Sequence, residues 1–498
     1  MKSVKMTKSV KSMIALGSVL IVLGGVAIGW NVLMKDDIDE TSDTSSSSEI
    51  YGSGIELIRK DPATINKIEI VNTTGEYNVL RTQKAETNEG KSVYTIEGYE
   101  DLLLDTSVLW TLSNNLSNVS SNSIVAENSD EVSKYGLDEP AVTAVVYLDS
   151  GDTVKFYVGD VSPVSSNTYF MLDGDDKVYT VSSSLFDNYR KGKDDFVSLT
   201  VLEEPAEDLY PIVNYVKVER DDLEYDILVE YDKKTDDNNY RGGTSAAHVL
   251  TEPISAYLSV ENSVNVTNGI FGLTADSFYA IKPDENDIAE AGLAEPFCTV
   301  TVDCDDGNNY KFYMSEPFTD EDGLEYHYAM LDGNNVIYKV SAESAVWGTV
   351  QLVDFTSKIV FGSNVWDIDA MTVSGKDYDT IEFECEGSSK EDFTVKKDGK
   401  DFEMERFRLF YAFLISAPGE EFAIGKTVPD TEPSASITVK DSYLEQTYTV
   451  EFYDDTALRS LIVIDGECRY ICSSSYVDTL LDNIGRITTG EEYVTTWK

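Results

Sequence analysis

The 498-residue chain is poor in the side chains from which metal centres and disulfide frameworks are built. His248 and His327 are its only histidines, and neither lies in a cluster with metal-ligand spacing. Its five cysteines are too few, and odd in number, for a disulfide framework: Cys298, Cys304, Cys385, Cys468 and Cys472. We therefore predict no metal site and no cofactor, and we expect the thiols to be small buried hydrophobic side chains.

Basic residues are also scarce. The chain has 39 lysines and arginines against 90 aspartates and glutamates, which gives a formal charge of -51. Because phosphate backbones bind to cationic surfaces, this balance excludes a nucleic-acid partner, and anionic lipid head groups would be repelled. Hydrophobic residues make up 42% of the chain, enough for packed cores, so we interpret the acidity as solvated surface.

Catalytic motifs are missing as well. Residues 419–427 resemble a phosphate-binding loop, but five residues separate Gly419 from Gly425 where that loop needs four. The glycine-rich stretch 242–248 lacks the Gly-x-Ser-x-Gly spacing of a nucleophile elbow. Asp303, Asp305 and Asp306 fit a hairpin tip better than a calcium loop. We predict that the protein is not an enzyme and has no catalytic residues.

One pattern occurs three times in the chain. A Gly-Leu-x-Glu-Pro element, reduced to Glu-Pro in its third copy, precedes an alternating apolar run and a second strand. The repeated residues are Gly136, Leu137, Glu139 and Pro140; Gly292, Leu293, Glu295 and Pro296; and Glu432 and Pro433. Proline fixes the approach to a strand and glycine ends the preceding segment, so we predict a structural role for the element. Self-similarity of this length indicates tandem copies of one small fold.

The predicted fold class is α+β, with one N-terminal transmembrane helix followed by three antiparallel-sheet-plus-helix modules. The modules span residues 61–204, 210–355 and 366–498, and each contains three strands, one helix and four strands. Three helices are expected. The first has Leu109, Leu112, Leu116 and Val119 on one face, with Asp105 or Thr106 as N-cap; the second runs from about Thr251 with Ile254, Tyr257 and Leu258; the third lies around Phe407, Phe410, Tyr411 and Leu414.

Residues 13–34 carry no charge, and 22 helical residues reach roughly 33 Å, enough to cross a bilayer. Four lysines precede this segment and acidic residues follow it, so residues 1–12 form a cytoplasmic tail and the bulk of the chain is extracytoplasmic. Residues 35–60 are predicted to be a flexible acidic, serine-rich stalk. A cleaved signal peptide is the competing interpretation, but the apolar stretch is too long for one. Gly25 and Gly29 match the spacing that lets transmembrane helices pack closely.

Three elements carry a resemblance to a known family: Tyr135 to Pro140, the strand with Val158-Gly159-Asp160, and the strand with Tyr179. They resemble the bacterial family called domain of unknown function 4340, closely from about residue 66 to 204. The second copy has Ser315-Glu316 in place of Gly-Asp, and the third has Thr427-Val428-Pro429 in place of Tyr-Gly-Leu. The resemblance implies a membrane-anchored envelope protein of the kind often encoded beside ABC transporters of the gliding-motility type.

These observations predict a single-pass, extracytoplasmic, non-enzymatic accessory or interaction protein of an ABC-type transport system. Its expected partners are the bilayer and an ABC transporter permease or another envelope protein. The alternative is a binding module for a cell-wall glycan or secreted solute, with grooves lined by some of the 30 tyrosines. An envelope hydrolase is the third hypothesis, and it requires a Ser-His contact or perturbed carboxylates in a pocket.

Overall fold

A computed structural model describes residues 54–86, 90–121, 123–128, 132–236 and 246–497. From Ile55 to Lys498 the chain forms one compact unit. The predicted cytoplasmic tail, the transmembrane helix with Gly25 and Gly29, and most of the stalk lie outside the described residues. Within the described ranges no helix is both long and apolar enough to cross a bilayer.

The first part of the unit is an eight-stranded sheet beside a two-stranded one. Its elements are β1 (Ile55–Ile58), β2 (Ile65–Asn72), β3 (Gly75–Gln83), β4 (Val93–Ile96), helix α1 (Thr106–Asn114), β5 (Val119–Ser121), β6 (Ile124–Ala126), β7 (Val142–Leu148), β8 (Thr153–Val161), β9 (Asn167–Leu172) and β10 (Val178–Ser182). The eight strands pair in the order β4-β3-β2-β7-β8-β9-β10-β6, and β1 pairs with β5.

The second part is an eleven-stranded sheet with three short helices. Its elements are β11 (Val213–Arg220), β12 (Ile227–Tyr231), β13 (His248–Glu252), β14 (Ala256–Leu258), α2 (Val264–Thr267), β15 (Ser277–Ile281), α3 (Glu285–Glu290), β16 (Cys298–Cys304), β17 (Asn309–Met314), β18 (Phe318–Thr319), β19 (Glu325–Leu331), β20 (Val336–Ser341), α4 (Leu352–Phe355) and β21 (Thr356–Ser357). They pair in the order β15-β20-β19-β17-β16-β11-β12-β13-β14-β21, with β18 beside β19.

The third part is a nine-stranded sheet with two longer helices. Its elements are β22 (Ile368–Gly375), β23 (Tyr378–Glu386), β24 (Thr394–Lys397), β25 (Lys400–Phe402), α5 (Met404–Leu414), β26 (Glu421–Phe422), β27 (Ala435–Asp441), β28 (Gln446–Asp454), β29 (Arg459–Ile464), β30 (Glu467–Ser473) and α6 (Ser474–Thr489). The order is β25-β24-β23-β22-β27-β28-β29-β30-β26.

Eight strands of each sheet follow one order of pairing. The run β4-β3-β2-β7-β8-β9-β10-β6 corresponds to β13-β12-β11-β16-β17-β19-β20-β15 and to β24-β23-β22-β27-β28-β29-β30-β26. The pairs at the centre, such as β2 with β7, are antiparallel, as expected. The protein is therefore a sheet-rich α+β protein with few helices.

Alternating burial shows why these segments form strands. In β7, Val142, Ala144 and Val146 are fully buried while the residues between them are not. Every second side chain of a strand lies on the same face of the sheet, so the face with Val142, Ala144 and Val146 packs into the core. The buried residues of the first two sheets form one connected cluster, and the third sheet has a cluster of its own.

Short hydrogen-bonded contacts join the three sheets. The backbone N–H of Val201 donates to Leu273 at 2.7 Å and that of Ala275 donates to Leu199 at 2.8 Å, which ties the exit of the first sheet to the second. Between the second and third sheets, the N–H of Ser255 donates to the Glu467 carboxylate at 3.0 Å. The connecting segments are thus part of the folded unit.

Two of the three predicted helices are confirmed. Helix α1 begins at Thr106 and is capped by Asp105, whose carboxylate accepts from the N–H of Val108 at 3.0 Å. It ends at Asn114, so Val119, which was expected on its apolar face, lies in β5 instead. Helix α5 covers the predicted apolar segment around Phe407. The sixteen-residue α6 was not predicted, although Val477, Leu480 and Ile484 have helical spacing and Ser473 caps it.

The helix predicted from about Thr251 is wrong. Strands β13 and β14 lie there instead, joined by a turn at Pro253. Ile254 and Leu258 are both buried, but a spacing of four residues places side chains on one face in a strand as well as in a helix. Tyr257 pairs with Val249 across the hairpin. The pattern therefore did not discriminate between the two structures.

The last part of the predicted stalk also differs. Residues 55–58 form β1 and pair with β5, and the side chain of Ile58 is only 3% exposed. Burial of this isoleucine in the first core offsets part of the entropy cost of ordering the segment. Folded structure therefore begins before residue 61.

We expect Ile58→Ala to lower the free energy of unfolding by roughly 2–4 kcal/mol, because it leaves a cavity in the core. Ile55→Ala is the matched control in the same strand, since Ile55 is 39% exposed and should lose little. Urea unfolding followed by tryptophan fluorescence measures both. Equal, small losses would show that β1 contributes nothing to the core.

Candidate functional site

The repeated Gly-Leu element ends a helical turn in the first two sheets. Gly136 follows the turn Val132–Tyr135 with φ 62°, and Gly292 follows α3 with φ 72°. The N–H of the next residue reaches back five positions in both copies, from Leu137 to Val132 at 3.1 Å and from Leu293 to Ile288 at 2.9 Å. A left-handed glycine permits this closure because it has no Cβ.

The leucines then pack on the face of the sheet opposite the main core, here called the outer face. Leu137 and Leu293 are each 5% exposed. Leu293 forms a small cluster with Ala291 and Ile337, separate from the large one. The outer face is therefore covered only in part, by the repeated turn.

The prolines stand at one position relative to the sheet in all three copies. Pro140, Pro296 and Pro433 each lie two residues before the first paired residue of β7, β16 and β27. Glu139, Glu295 and Glu432 precede them, and all three glutamates are exposed. The third copy lacks glycine and leucine, and Val428 contributes to its outer-face cluster instead.

The three elements that carry the family resemblance meet in the first sheet. Strand β8 has an irregular register between Val158 and Val161, where Gly159 and Asp160 lie. A Cβ on Gly159 would collide with the carbonyl oxygen of Tyr135. A Cβ on Gly136 would lie 2.5 Å from the Asp160 carboxyl carbon, so both glycines permit a close approach.

Two polar side chains hold this bulge from the core side. The hydroxyl of Thr168 donates to the carbonyl oxygens of Gly159 and Asp160, at 3.0 Å each. Arg190 donates to the same Gly159 oxygen at 3.2 Å and to the Thr168 hydroxyl at 3.0 Å. These bonds satisfy carbonyl groups that the irregular register removes from the ladder.

In the second sheet a different side chain bonds to the backbone at the equivalent position. Ser315 replaces Gly159, and its carbonyl oxygen accepts from Nδ1 of the buried His327 at 2.8 Å. A Cβ on Gly348 would overlap the imidazole, so this glycine leaves room for the ring. Burial lowers the pKa of His327, because the charged imidazolium is desolvated there.

A groove of about 370 Å³ opens on the outer face beside this element. The lining combines the repeated turn, aromatic rings and acids: Asp221, Glu290, Ala291, Gly292, Glu295, Phe297, Ser315, Glu316, Phe318 and Tyr328. The ring of Tyr328 lies 4.5 Å, centroid to centroid, from both Tyr279 and Phe318. The rings of Phe297, Phe318 and Tyr328 therefore line the groove, and Tyr279 packs beside Tyr328.

The four carboxylates of the groove are exposed, and no described lysine or arginine pairs with any of them. They are Asp221, Glu290, Glu295 and Glu316. Of these, only Glu295 belongs to the repeated element. Across the described ranges no three His, Cys, Asp or Glu side chains come together in a geometry that would hold a metal ion.

The remaining predicted features are structural. All five thiols are free and buried, as expected, and burial raises the pKa of Cys298 to about 12. The Asp305 and Asp306 carboxylates accept from backbone N–H groups at 2.9 Å in a hairpin connection. Of the glycine-rich stretch, residues 242–245 lie outside the described ranges. His248 is described, and its Nε2 bonds to the carbonyl oxygen of Val213 at 2.8 Å.

The strand order and the turns together define a sheet-rich α+β protein whose first two sheets each carry a Gly-Leu turn on the outer face. Residues 94–268 match the family described as Domain of unknown function (DUF4340), which confirms the resemblance over that segment. The match begins in β4 and ends after α2, so it includes the Gly136 turn and the Gly159 bulge. Neither the curated proteins nor the solved structures yielded a match.

We expect Gly159→Ala to lower the free energy of unfolding by roughly 2–3 kcal/mol, because the methyl group must displace the Tyr135 backbone. Gly192→Ala is the matched control, since its Cβ would approach only side-chain atoms, and the nearest of them, the Thr74 hydroxyl oxygen, lies at 3.3 Å. Urea titration of both variants measures the difference. If they unfolded at the same midpoint, the close approach at the bulge would be disproved.

We also expect stability to fall from about pH 7.5 to about pH 5, because burial lowers the pKa of both His248 and His327 in the folded state. The unfolded chain takes up protons first, below its ordinary histidine pKa of about 6.5, so acid favours unfolding. These are the only two histidines in the chain. The double variant His248→Gln/His327→Gln should show a flatter pH dependence in urea unfolding, and an unchanged slope would contradict this origin.

Proposed function

We propose that this chain is a membrane-anchored, extracytoplasmic, non-enzymatic accessory protein, an auxiliary component of an ABC-type transport system of the cell envelope. The uncharged segment 13–34, with lysines before it and acids after it, supports the anchor and its orientation. The match over residues 94–268 supports the family resemblance from which the transport context is taken. The charge of -51 suits a solvated, external surface.

We also propose that the three sheets are three tandem copies of one module, spanning residues 61–204, 210–355 and 366–498. The shared strand order of eight strands in each sheet supports this. The position of the prolines supports it too. Pro140, Pro296 and Pro433 each lie two residues before the start of the corresponding central strand, which is β7, β16 or β27.

The main observation in support of the accessory role is the outer face of the sheets, which is only partly covered. In the second sheet this face holds the ring-lined groove beside Gly292 and Glu295. Tandem units of one fold present similar surfaces several times along the chain. Such an arrangement suits binding to other macromolecules better than it suits catalysis at one active site. Both histidines bond to backbone carbonyl oxygens, and within the described residues neither imidazole has a hydrogen bond to a Ser, Thr or Tyr hydroxyl.

The alternative function, a glycan- or solute-binding module, has one observation in its favour. A cavity between the second and third sheets is lined in part by Tyr257, Arg469 and Tyr470. Its volume of about 250 Å³ is below the roughly 300–1,000 Å³ of typical small-molecule pockets. We therefore rank this function second.

If residues 13–34 are the anchor, the full-length chain remains in the membrane fraction after an alkaline carbonate wash, and protease added outside the cell digests its C-terminal bulk. Deletion of residues 13–34 moves the chain to the aqueous fraction, whereas the control deletion of residues 41–49 in the stalk does not. Recovery of the first deletion variant in the washed membranes would disprove the anchor.

The transport role predicts that the full-length chain, purified in mild detergent, retains an ABC permease that mass spectrometry identifies. The chain without residues 13–34 serves as control for association through the anchor. Absence of any permease, together with normal transport in a strain that lacks the gene, would overturn the proposed function.

A further inference from the structure

The groove of the second sheet pairs aromatic rings with carboxylates that have no cationic partner in the described chain. Tyr328 stands between Tyr279 and Phe318, with both ring centroids at 4.5 Å. Asp221, Glu290, Glu295 and Glu316 surround the opening. Rings present a negative face and carboxylates a full negative charge, so the groove favours a cation over an anion.

The same outer face already binds one ammonium group from its own chain. Lys339 lies opposite Tyr328 in the register of β19 and β20. Its Nζ stands 3.6 Å from the ring centroid of Tyr326 and 3.2 Å from the Asp320 carboxylate. One ring and one carboxylate therefore suffice to hold a lysine here. Phe318 connects the two places, since its ring lies 6.2 Å from Tyr326 and 4.5 Å from Tyr328.

We propose that this groove binds a lysine or arginine side chain carried by a basic segment of a partner protein. The cation would lie against Tyr328 and Phe318, with the exposed carboxylates of Glu295 and Glu316 as its counter-ions. The inference rests on the proposed accessory function and specifies the chemistry of the partner surface. The groove of about 370 Å³ is large enough for one such side chain and its flanking backbone.

Charge decides between this occupant and a neutral glycan. A sugar would use the rings but would leave four carboxylates without a counter-charge inside one groove. Mutual repulsion of like charges in a concave surface is relieved by a cation and unaffected by a neutral ligand.

The test uses the full-length chain in mild detergent and the peptide acetyl-Gly-Lys-Gly-Lys-Gly-amide, titrated calorimetrically at about 0.15 M salt to screen long-range attraction. The variant Glu295→Gln/Glu316→Gln removes two groove charges without changing side-chain size. The matched control, Glu384→Gln/Glu386→Gln, removes two exposed charges from β23 that form no ion pair within the described residues. The same peptide with acetylated lysines and a neutral chito-oligosaccharide are the ligand controls.

We expect the native chain and the β23 variant to bind the peptide equally, and the groove variant to bind it at least about ten-fold more weakly. Phe318→Ala should weaken binding as well, and acetylated lysines should abolish it. Equal affinity in the groove and β23 variants would show nonspecific attraction to an acidic surface and overturn the proposal. Binding of the neutral oligosaccharide that is lost in Phe318→Ala would assign the groove to a glycan and overturn it too.

The two proposals fail separately. If the native chain retains a permease in detergent but its groove variant does not discriminate the peptide, the accessory role stands and the groove assignment is wrong. If the peptide binds in the groove but no permease is retained, the site stands and its partner lies outside a transport system.

Discussion

Each sheet depends on one antiparallel pair whose strands are far apart in the chain. Strand β2 pairs with β7, β11 with β16 and β22 with β27, and each pair joins an N-terminal hairpin to a C-terminal run of four strands. A slip of one residue in this register would exchange the two faces of the sheet. The core residues would then face solvent, and the Gly-Leu turn would face the core.

Corresponding backbone positions in the first two sheets are bonded by different side chains. In the first sheet Thr168 and Arg190 bond to the carbonyl oxygen of Gly159. In the second sheet His327 alone bonds to the corresponding carbonyl of Ser315, and Gly348 accommodates the ring. The irregular register is found at this place in the first sheet, whereas β17 and β19 of the second sheet pair without a shift, and in the first sheet the polar groups satisfy the backbone that the bulge exposes.

The same face distinguishes the second sheet from the first. In the first sheet Tyr135, next to Gly136, packs on Tyr169 at 4.9 Å. In the second sheet Ala291 takes the place before the glycine, and β15 and β18 contribute Tyr279 and Phe318 to either side of Tyr328. The first two sheets thus share a strand order but carry different aromatic surfaces on their outer faces.

Local sequence determined the hairpins and two helices of this protein. Alternation and turn residues predicted β7 with β8 correctly, and the apolar face with its Asp105 cap predicted α1, because these signals act between near neighbours. The sequence could not align the third copy. The similar segments Val154-Lys155-Phe156-Tyr157 and Val450-Glu451-Phe452-Tyr453 would align Phe452 with Phe156. In the structure Phe452 lies opposite Ala435 as Val158 lies opposite Val142, so Phe452 corresponds to Val158. Nor could it find the contact of His327 with Gly348 or the groove at Tyr328. Those depend on which distant strands pair and on their register, and only the tertiary structure decides that, because cross-strand packing acts between residues that are remote in the chain.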